Sequence, residues 1–402
     1  MNSTQPKASY AALPRGVWVL GLGSLFMDAS SELVHSLMPL FMVSVLGTSI
    51  MTVGIIEGLA EATAAITKVF SGAISDHFRK RKFLIVLGYG LGAVTKPVFP
   101  LANAIQWVFA ARMIDRVGKG IRGAPRDALI ADLVPPESRG AAYGLRQALD
   151  SVGAFAGPLL AVAFMFWFAN DIKAVLWVAV VPAFIAVTLL VIAVREPESI
   201  ASNVESKGRL NISNIKRLSP GYWLIVALGG VFTLARFSEA FLILRAKDVG
   251  VSLGLIPVIM IVMNIVYALF AYPAGVIADR LHPRLLLIVG LVVLIAADGV
   301  LAIAGSPSVA FLGAGLWGLH MALTQGLLSK LVANAAPAEL RGSAFGLFNL
   351  VSGGALLLAS VIAGGLWSTY GPATTFMAGA GFAAIAAVGL LLYRPKPRPG
   401  SA

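Results

Sequence analysis

The stretch Pro135-Pro-Glu-Ser-Arg-Gly-Ala-Ala-Tyr-Gly144 returns as Pro337-Ala-Glu-Leu-Arg-Gly-Ser-Ala-Phe-Gly346, 202 residues further along a chain of 402. A second pair, Gly72-x-x-x-Asp76 and Gly275-x-x-x-Asp279, repeats at an offset of 203. Two separate motifs at nearly one offset mark a duplicated unit. Around them, apolar runs bounded by charge or by Gly and Pro fall at 16–45, 49–74, 83–102, 105–130, 141–168, 174–194, 220–245, 252–278, 285–304, 308–332, 343–367 and 372–393. Each has about the 20 residues that a membrane-crossing helix needs. The expected fold class is an all-α polytopic membrane protein: twelve transmembrane helices in two parallel-repeat six-helix bundles. The bundles are expected at 1–194 and 220–402. A linker at 195–219 holds Arg195, Glu196, Glu198, Glu205, Lys207, Arg209, Lys216 and Arg217. Parallel repeats of this kind place a binding site between them, near the bilayer midplane.

Composition agrees. Hydrophobic residues make up 58% of the chain and charged ones 12%, with a mean hydropathy of +0.86. A soluble domain carries about 25% charged residues, so a soluble enzyme and a disordered chain are both excluded. Cysteine is absent, which removes disulfides, thiolate metal sites and cysteine nucleophiles. Met1 to Pro14 is polar with no cleavable signal pattern, so the first apolar run reads as a retained span. The net charge is +12, and its placement follows topology. Arg79 to Lys82, Arg280, Arg284, Arg394, Lys396 and Arg398 all fall on one side, whereas Lys173, Arg245 and Lys247 fall on the other. Basic loops stay inside, so both termini are expected in the cytoplasm. The expected partners are the lipid bilayer and a small-molecule or ion substrate, with no nucleic acid.

The duplicated motifs carry a resemblance. After its second span, the major facilitator superfamily shows G-x-x-x-D-R-x-G-R-[RK]. This chain reads Gly72-Ala-Ile-Ser-Asp76-His77-Phe78-Arg79-Lys80-Arg81, with His77 and Arg79 in place of the motif's Arg and Gly. The second copy keeps Asp279-Arg280. Arg116-x-x-x-Gly120 matches the family's span-four arginine followed by small residues. Gly153-Ala-Phe-Ala-Gly157-Pro158 matches the G-x-x-x-G-P of its exporters, although the small residues further on in that motif are absent. The run Asp115 to Asp127 resembles a bacterial subgroup of efflux proteins. The resemblance implies a multi-pass protein of the bacterial inner membrane, acting as a monomer. It also implies gating roles for Gly72, Asp76, Lys80 and Arg81, for Gly275, Asp279 and Arg280, and for the Gly153, Gly157 and Pro158 region.

Fifteen charged residues lie inside the expected spans of the first half, and far fewer inside those of the second. Each costs about 2.5–3.5 kcal/mol at mid-bilayer, so they must pair or face water. Span one carries Asp28, Ser31, Glu32 and His35 at spacings that share one helical face. Two carboxylates on one face in a low dielectric repel each other, and one of them is then suited to hold a proton near neutral pH. The bland alternative is pairing with a neighbouring Lys or Arg. The same three titratable groups, Asp28, Glu32 and His35, also suit a divalent metal, with His320 as a distant further ligand. Glu57 and Glu61 share a face with Lys68 in span two. In span four, Arg112, Arg116, Lys119, Arg122 and Arg126 fall within about a 120° arc that includes Asp115. Arg146 and Asp150 are an i,i+4 pair, and Arg236 and Glu239 an i,i+3 pair. Lys96 is expected to pair with Asp115 or Asp150.

No P-loop is present, since the only Gly-Lys inside a span is Gly118-Lys119. The drive is therefore expected to be a proton gradient, with no cofactor. The expected function is proton-coupled export of a small drug-like or amphiphilic organic molecule by alternating access. The alternatives are a nickel or iron exporter, an organic-anion/proton symporter and a non-transporting membrane sensor. An enzyme is not expected, because no nucleophile has a base beside it.

Overall fold

The computed structural model describes residues 13–78, 81–135, 138–194, 218–281, 283–324, 327–336 and 340–392. Among them are helices and short links, and no strand. The helices are α1 (Arg15–Leu40), α2 (Ile50–Phe78), α3 (Arg81–Thr95), α4 (Val98–Leu101), α5 (Ile105–Leu133), α6 (Arg139–Trp167), α7 (Ile172–Val178), α8 (Val180–Ala193), α9 (Pro220–Leu234), α10 (Ala240–Asp248), α11 (Val258–Arg280), α12 (Pro283–Ile303), α13 (Pro307–Thr324), α14 (Leu327–Ala335), α15 (Arg341–Tyr370) and α16 (Pro372–Leu392).

Helix starts follow the local chemistry. α9, α12, α13 and α16 each begin on proline, which has no N–H to leave orphaned in a first turn. Ser219 caps α9, its hydroxyl accepting from the Tyr222 amide at 3.2 Å. Asp171 caps α7, accepting from the amides of Lys173 at 2.9 Å and Ala174 at 3.2 Å. One residue, Gly371, joins α15 to α16 at φ 89°, a conformation that costs a side-chain-bearing residue more than glycine.

Nine helical stretches among the described residues are long and apolar enough to cross a membrane. Three stretches read as spans from the sequence are not among the nine. Ile105–Leu133 carries eight charged side chains, Pro220–Leu234 is 15 residues long, and Pro307–Thr324 stops just short of positions 325–326, beyond which α14 begins.

The chain divides into two units, Met1–Phe41 with Thr63–Lys207 and Met42–Ala62 with Gly208–Ala402. In the first, α1 packs on α6 and α8, and α3 packs on α5 and α8. In the second, α9 packs on α15 and α16, and α12 packs on α13 and α16. These are the same four pairings displaced by one copy of the repeat. The core of the first unit includes Leu20, Met27, Ile85, Tyr89, Ile130 and Leu190. That of the second includes Tyr222, Val226, Val332 and Phe348, with the Tyr222 hydroxyl donating to the Ala344 carbonyl at 2.9 Å.

Two expected spans are broken. The third turns at Lys96 and Pro97, between α3 and α4, as proline requires. The seventh unwinds over 235–239, between α9 and α10. The expected span 220–245 is thus not one helix, and Arg236 and Glu239 do not share a helical face as an i,i+3 pair.

Candidate functional site

The charges of the first unit gather where α1, α3, α5 and α6 meet. Lys96, at the bend after α3, donates to Asp115 Oδ1 on α5 at 2.9 Å, and the two side chains are 1% and 5% exposed. The same ammonium reaches Ser31 Oγ on α1 at 3.1 Å. Arg116 Nε lies 3.9 Å from Asp115 Oδ2. Asp115 is therefore the anion around which buried cations collect, as expected of one of the two partners named for Lys96. Gly88 and Gly118 let α3 and α5 come this close, because a Cβ on either would meet the other's carbonyl oxygen at 2.6 Å.

Nearer the start of α6, four charges alternate in sign. Arg146 Nη1 lies 3.1 Å from Asp150 Oδ2 and 3.4 Å from Asp127 Oδ1. Arg126 Nη1 lies 3.8 Å from Asp150 Oδ1 and donates to Ser24 Oγ at 2.5 Å, while its Nε is 3.4 Å from Asp127 Oδ1. The i,i+4 pair read from the sequence is thus half of a four-member ring. Arg81 donates to the Ala128 carbonyl at 3.0 Å and pairs with Asp132.

The α1 groups are held more loosely. Asp28 Oδ1 is 3.6 Å from Arg122 Nη2, too long for a hydrogen bond, and the Asp28 side chain is 23% exposed. Arg122 also stacks over Tyr89, 4.5 Å from the ring centroid. Glu32, half-buried one turn on, has no ion pair or hydrogen bond among the described residues. The Nδ1 of His35 lies 3.4 Å from Arg112 Nη2. Arginine only donates, so Nδ1 accepts, and the Nε2–H is buried without a partner among the described residues. Gly153 and Gly157 of α6 abut this face. A Cβ on Gly153 would come 3.1 Å from Asp28 Cβ, and one on Gly157 would come 2.7 Å from both Glu32 Cβ and the Ala29 carbonyl. The resemblance implied a gating role for this region. The structure shows these glycines packing on α1 inside the first unit, with Pro158 buried beside Gly157.

Several residues fall elsewhere. Lys119 is exposed and joins no ion pair among the described residues. Arg112 and Arg116 are buried. Glu57 is buried and Glu61 half-buried, and both belong with the second unit. His320, on α13, is wholly buried against Phe232. Its Nδ1–H donates to the Gly290 carbonyl at 2.7 Å, which leaves Nε2 a buried acceptor without a partner among the described residues. Arg236 and Glu239 sit in the unwound segment. Gly275 is exposed with open space where a Cβ would stand, so close packing does not explain it. Gly72 and Asp76 lie on the α2 backbone, and Asp279 and Arg280 on that of α11. The side chains of these residues, and Lys80 altogether, lie outside the described residues. No group of three His, Asp or Glu suited to a metal ion forms among the described residues. Asp28 and His35 each face an arginine instead.

One buried acid was not singled out from the sequence. Asp298, in the middle of α12, is 0% exposed, and neither carboxyl oxygen has a hydrogen-bond partner among the described residues. The only sequence signal was a lone charge in an otherwise apolar span.

A family model described as Major Facilitator Superfamily matches residues 20–244 and 232–402. An uncharacterised MFS-type transporter of Methanocaldococcus jannaschii is 33% identical over 388 residues, covering 94% of this chain and 94% of that protein. A multidrug resistance protein of Yersinia enterocolitica is 29% identical over 145 residues, 36% of each chain. Among solved structures, a nucleoside transporter aligns with a TM-score of 0.78 at 14% identity, over 93% of this chain and 98% of its own.

Proposed function

The chain belongs to the Major Facilitator Superfamily and is a multi-pass membrane transporter, and from that premise we propose that it exports a small, amphiphilic organic molecule in exchange for protons. The observation that carries this reading is the state of the α1 carboxylates. Asp115 and Asp150 are committed to cations at 2.9 and 3.1 Å. Asp28 is held at 3.6 Å and partly exposed, and Glu32 is unpaired on the same helical face. A carboxylate locked into a short ion pair stays ionised. One that is loosely paired, with a second acid a turn away, can take up and give back a proton at low cost.

In this mechanism Arg122 is the counterion that Asp28 loses or regains as it titrates. The tight cluster around Asp115 and the four-charge ring at Asp150 keep the bundle rigid while the α1 face changes charge. Alternating access by rocking of two bundles, with both termini in the cytoplasm and no cofactor beyond the proton gradient, completes the proposal. The local match to a multidrug resistance protein supports export of a drug-like molecule. The likeness to a nucleoside transporter supports the fold alone.

The test uses the full chain in proteoliposomes with an imposed pH gradient and ethidium as the probe. The wild type is expected to move ethidium against its concentration gradient. Asp28→Asn and Glu32→Gln should lower that accumulation by about 5- to 150-fold, the usual range of coupling between two ligand sites, while downhill ethidium movement persists. Variants that accumulate ethidium like the wild type would remove α1 from the coupling, and a wild type indifferent to the pH gradient would end the proton-coupled reading.

A further inference from the structure

The repeat offset of 202 places Lys96 of the first unit at the position of Asp298 in the second, and Asp115 at that of Trp317. The packing keeps this correspondence. Gly88 faces Gly118 between α3 and α5, and their counterparts, Gly290 and His320, meet between α12 and α13. In the first unit the mid-span charge finds its counterion at 2.9 Å. In the second the counterion's position holds an indole. Asp298 is left among aromatic rings and small residues: a Cβ on Gly379 would meet both Asp298 Oδ2, at 2.6 Å, and the Phe237 ring, at 2.9 Å. Phe237 in turn packs on Trp317, Phe241 and Phe376, at ring-centroid distances of 5.3–5.5 Å.

No charged group among the described residues pairs with Asp298. Helix α16 carries no titratable residue. On α13, His320 is tied to Gly290, about 12 Å along α12 from Asp298 at 1.5 Å per residue. On α10, Arg245 donates to the carbonyls of Leu301, Ala302 and Ala304 and pairs with Asp248. Arg284, on α12 itself, donates to the Leu391 carbonyl. Arg236 and Glu239 lie in the unwound segment and make no ion pair with Asp298; the Lys330 side chain, on α14, lies outside the described residues. An ionised carboxylate buried without a partner is the costliest arrangement available, so this pocket accepts only the neutral acid.

Phe237, whose ring flanks Gly379 together with the carboxyl, sits in the break of span seven. In that segment the Arg236 amide donates to the Thr233 carbonyl at 3.0 Å, the Ser238 amide to Ser360 Oγ at 3.2 Å, and the Ala240 amide to Ser238 Oγ at 3.2 Å. The Phe237 amide has no acceptor among the described residues. We propose that Asp298 is a proton-binding site of the second unit, and that loss of its proton displaces the unwound 235–239 segment. The carboxylate, once charged, needs water or an N–H donor, and moving Phe237 aside exposes it to both.

Two measurements on the full chain in lipid test this, and neither involves a transported molecule, so a failure of proton-coupled export leaves both readable. First, infrared spectra near neutral pH should show a protonated-carboxyl C=O band that is lost in Asp298→Asn; Asp298→Ala serves the same purpose if the amide fails to fold. Identical spectra for wild type and variant would overturn the site. Second, because the chain has no cysteine, Ser238→Cys reports on the segment through its maleimide labelling rate. The rise in rate with pH should exceed that of a thiol alone, and in Asp298→Asn the excess should vanish. An excess that survives in Asp298→Asn, or none in the wild-type background, would overturn the coupling to the segment.

Discussion

Lys96 shows how much a single intramembrane charge depends on its partner. Its ammonium is 1% exposed and meets Asp115 at 2.9 Å. Removing one member of such a pair leaves the other buried, which costs about 3–5 kcal/mol, whereas removing both is much cheaper. Lys96→Met should therefore lower the thermal midpoint of the detergent-purified protein by more than Lys96→Met combined with Asp115→Leu does. Midpoints that fall additively in the double-mutant cycle would show that the two residues do not act as a pair. At this scale the sequence was legible where a charge stood inside an apolar run, because insertion cost alone demands a partner, and Asp115 was one of the two partners it offered. It was not legible at Lys119, whose helical arc matched that of the buried arginines although its side chain is exposed. It was not legible at Asp298 either, where the meaning lies in a missing counterion.

At the scale of elements, the crossing of α1 and α6 depends on Gly153 and Gly157. Any Cβ there strikes the α1 backbone beside the two carboxylates. Gly157→Ala should destabilise the protein by about 1–3 kcal/mol, the usual cost of overpacking, and should displace Glu32. Gly275→Ala, where a Cβ meets nothing, should instead stabilise α11 by about 0.5–1 kcal/mol, the helix preference of alanine over glycine. Thermal unfolding of the two variants side by side checks both signs, and a loss at Gly275 equal to that at Gly157 would refute the packing argument. Breaks in helices were legible only in part. Lys96-Pro97 announces a bend, since proline removes a donor. Ala235-Arg-Phe-Ser-Glu239 contains neither proline nor glycine, and its unwinding is held by the Ser238 amide donating to the Ser360 hydroxyl, 122 residues away. No local pattern encodes a bond of that range.

For the whole molecule, the repeat was the most legible feature, because each unit packs its own helices by the same four pairings and short motifs survive at the ends of the copied elements. Sidedness rests on charge. The exceptions to the basic-inside pattern weaken once Arg245 is seen in place: it is buried, capping the carboxyl end of α12 through three carbonyls. A cation consumed by a helix end is a poor guide to orientation, and without it the outer loops are nearly free of positive charge. The orientation this implies puts the loop before α6 in the cytoplasm and the loop before α13 outside. In intact cells, a membrane-impermeant maleimide should label Ser308→Cys and spare Gly140→Cys, which should react only after permeabilisation. Both positions are exposed, and the natural absence of cysteine makes either thiol the sole target. The reverse pattern would place the termini outside. In the proposed mechanism, the proton exchanged at Asp28 and Glu32 would then enter from the opposite face, and export would become uptake.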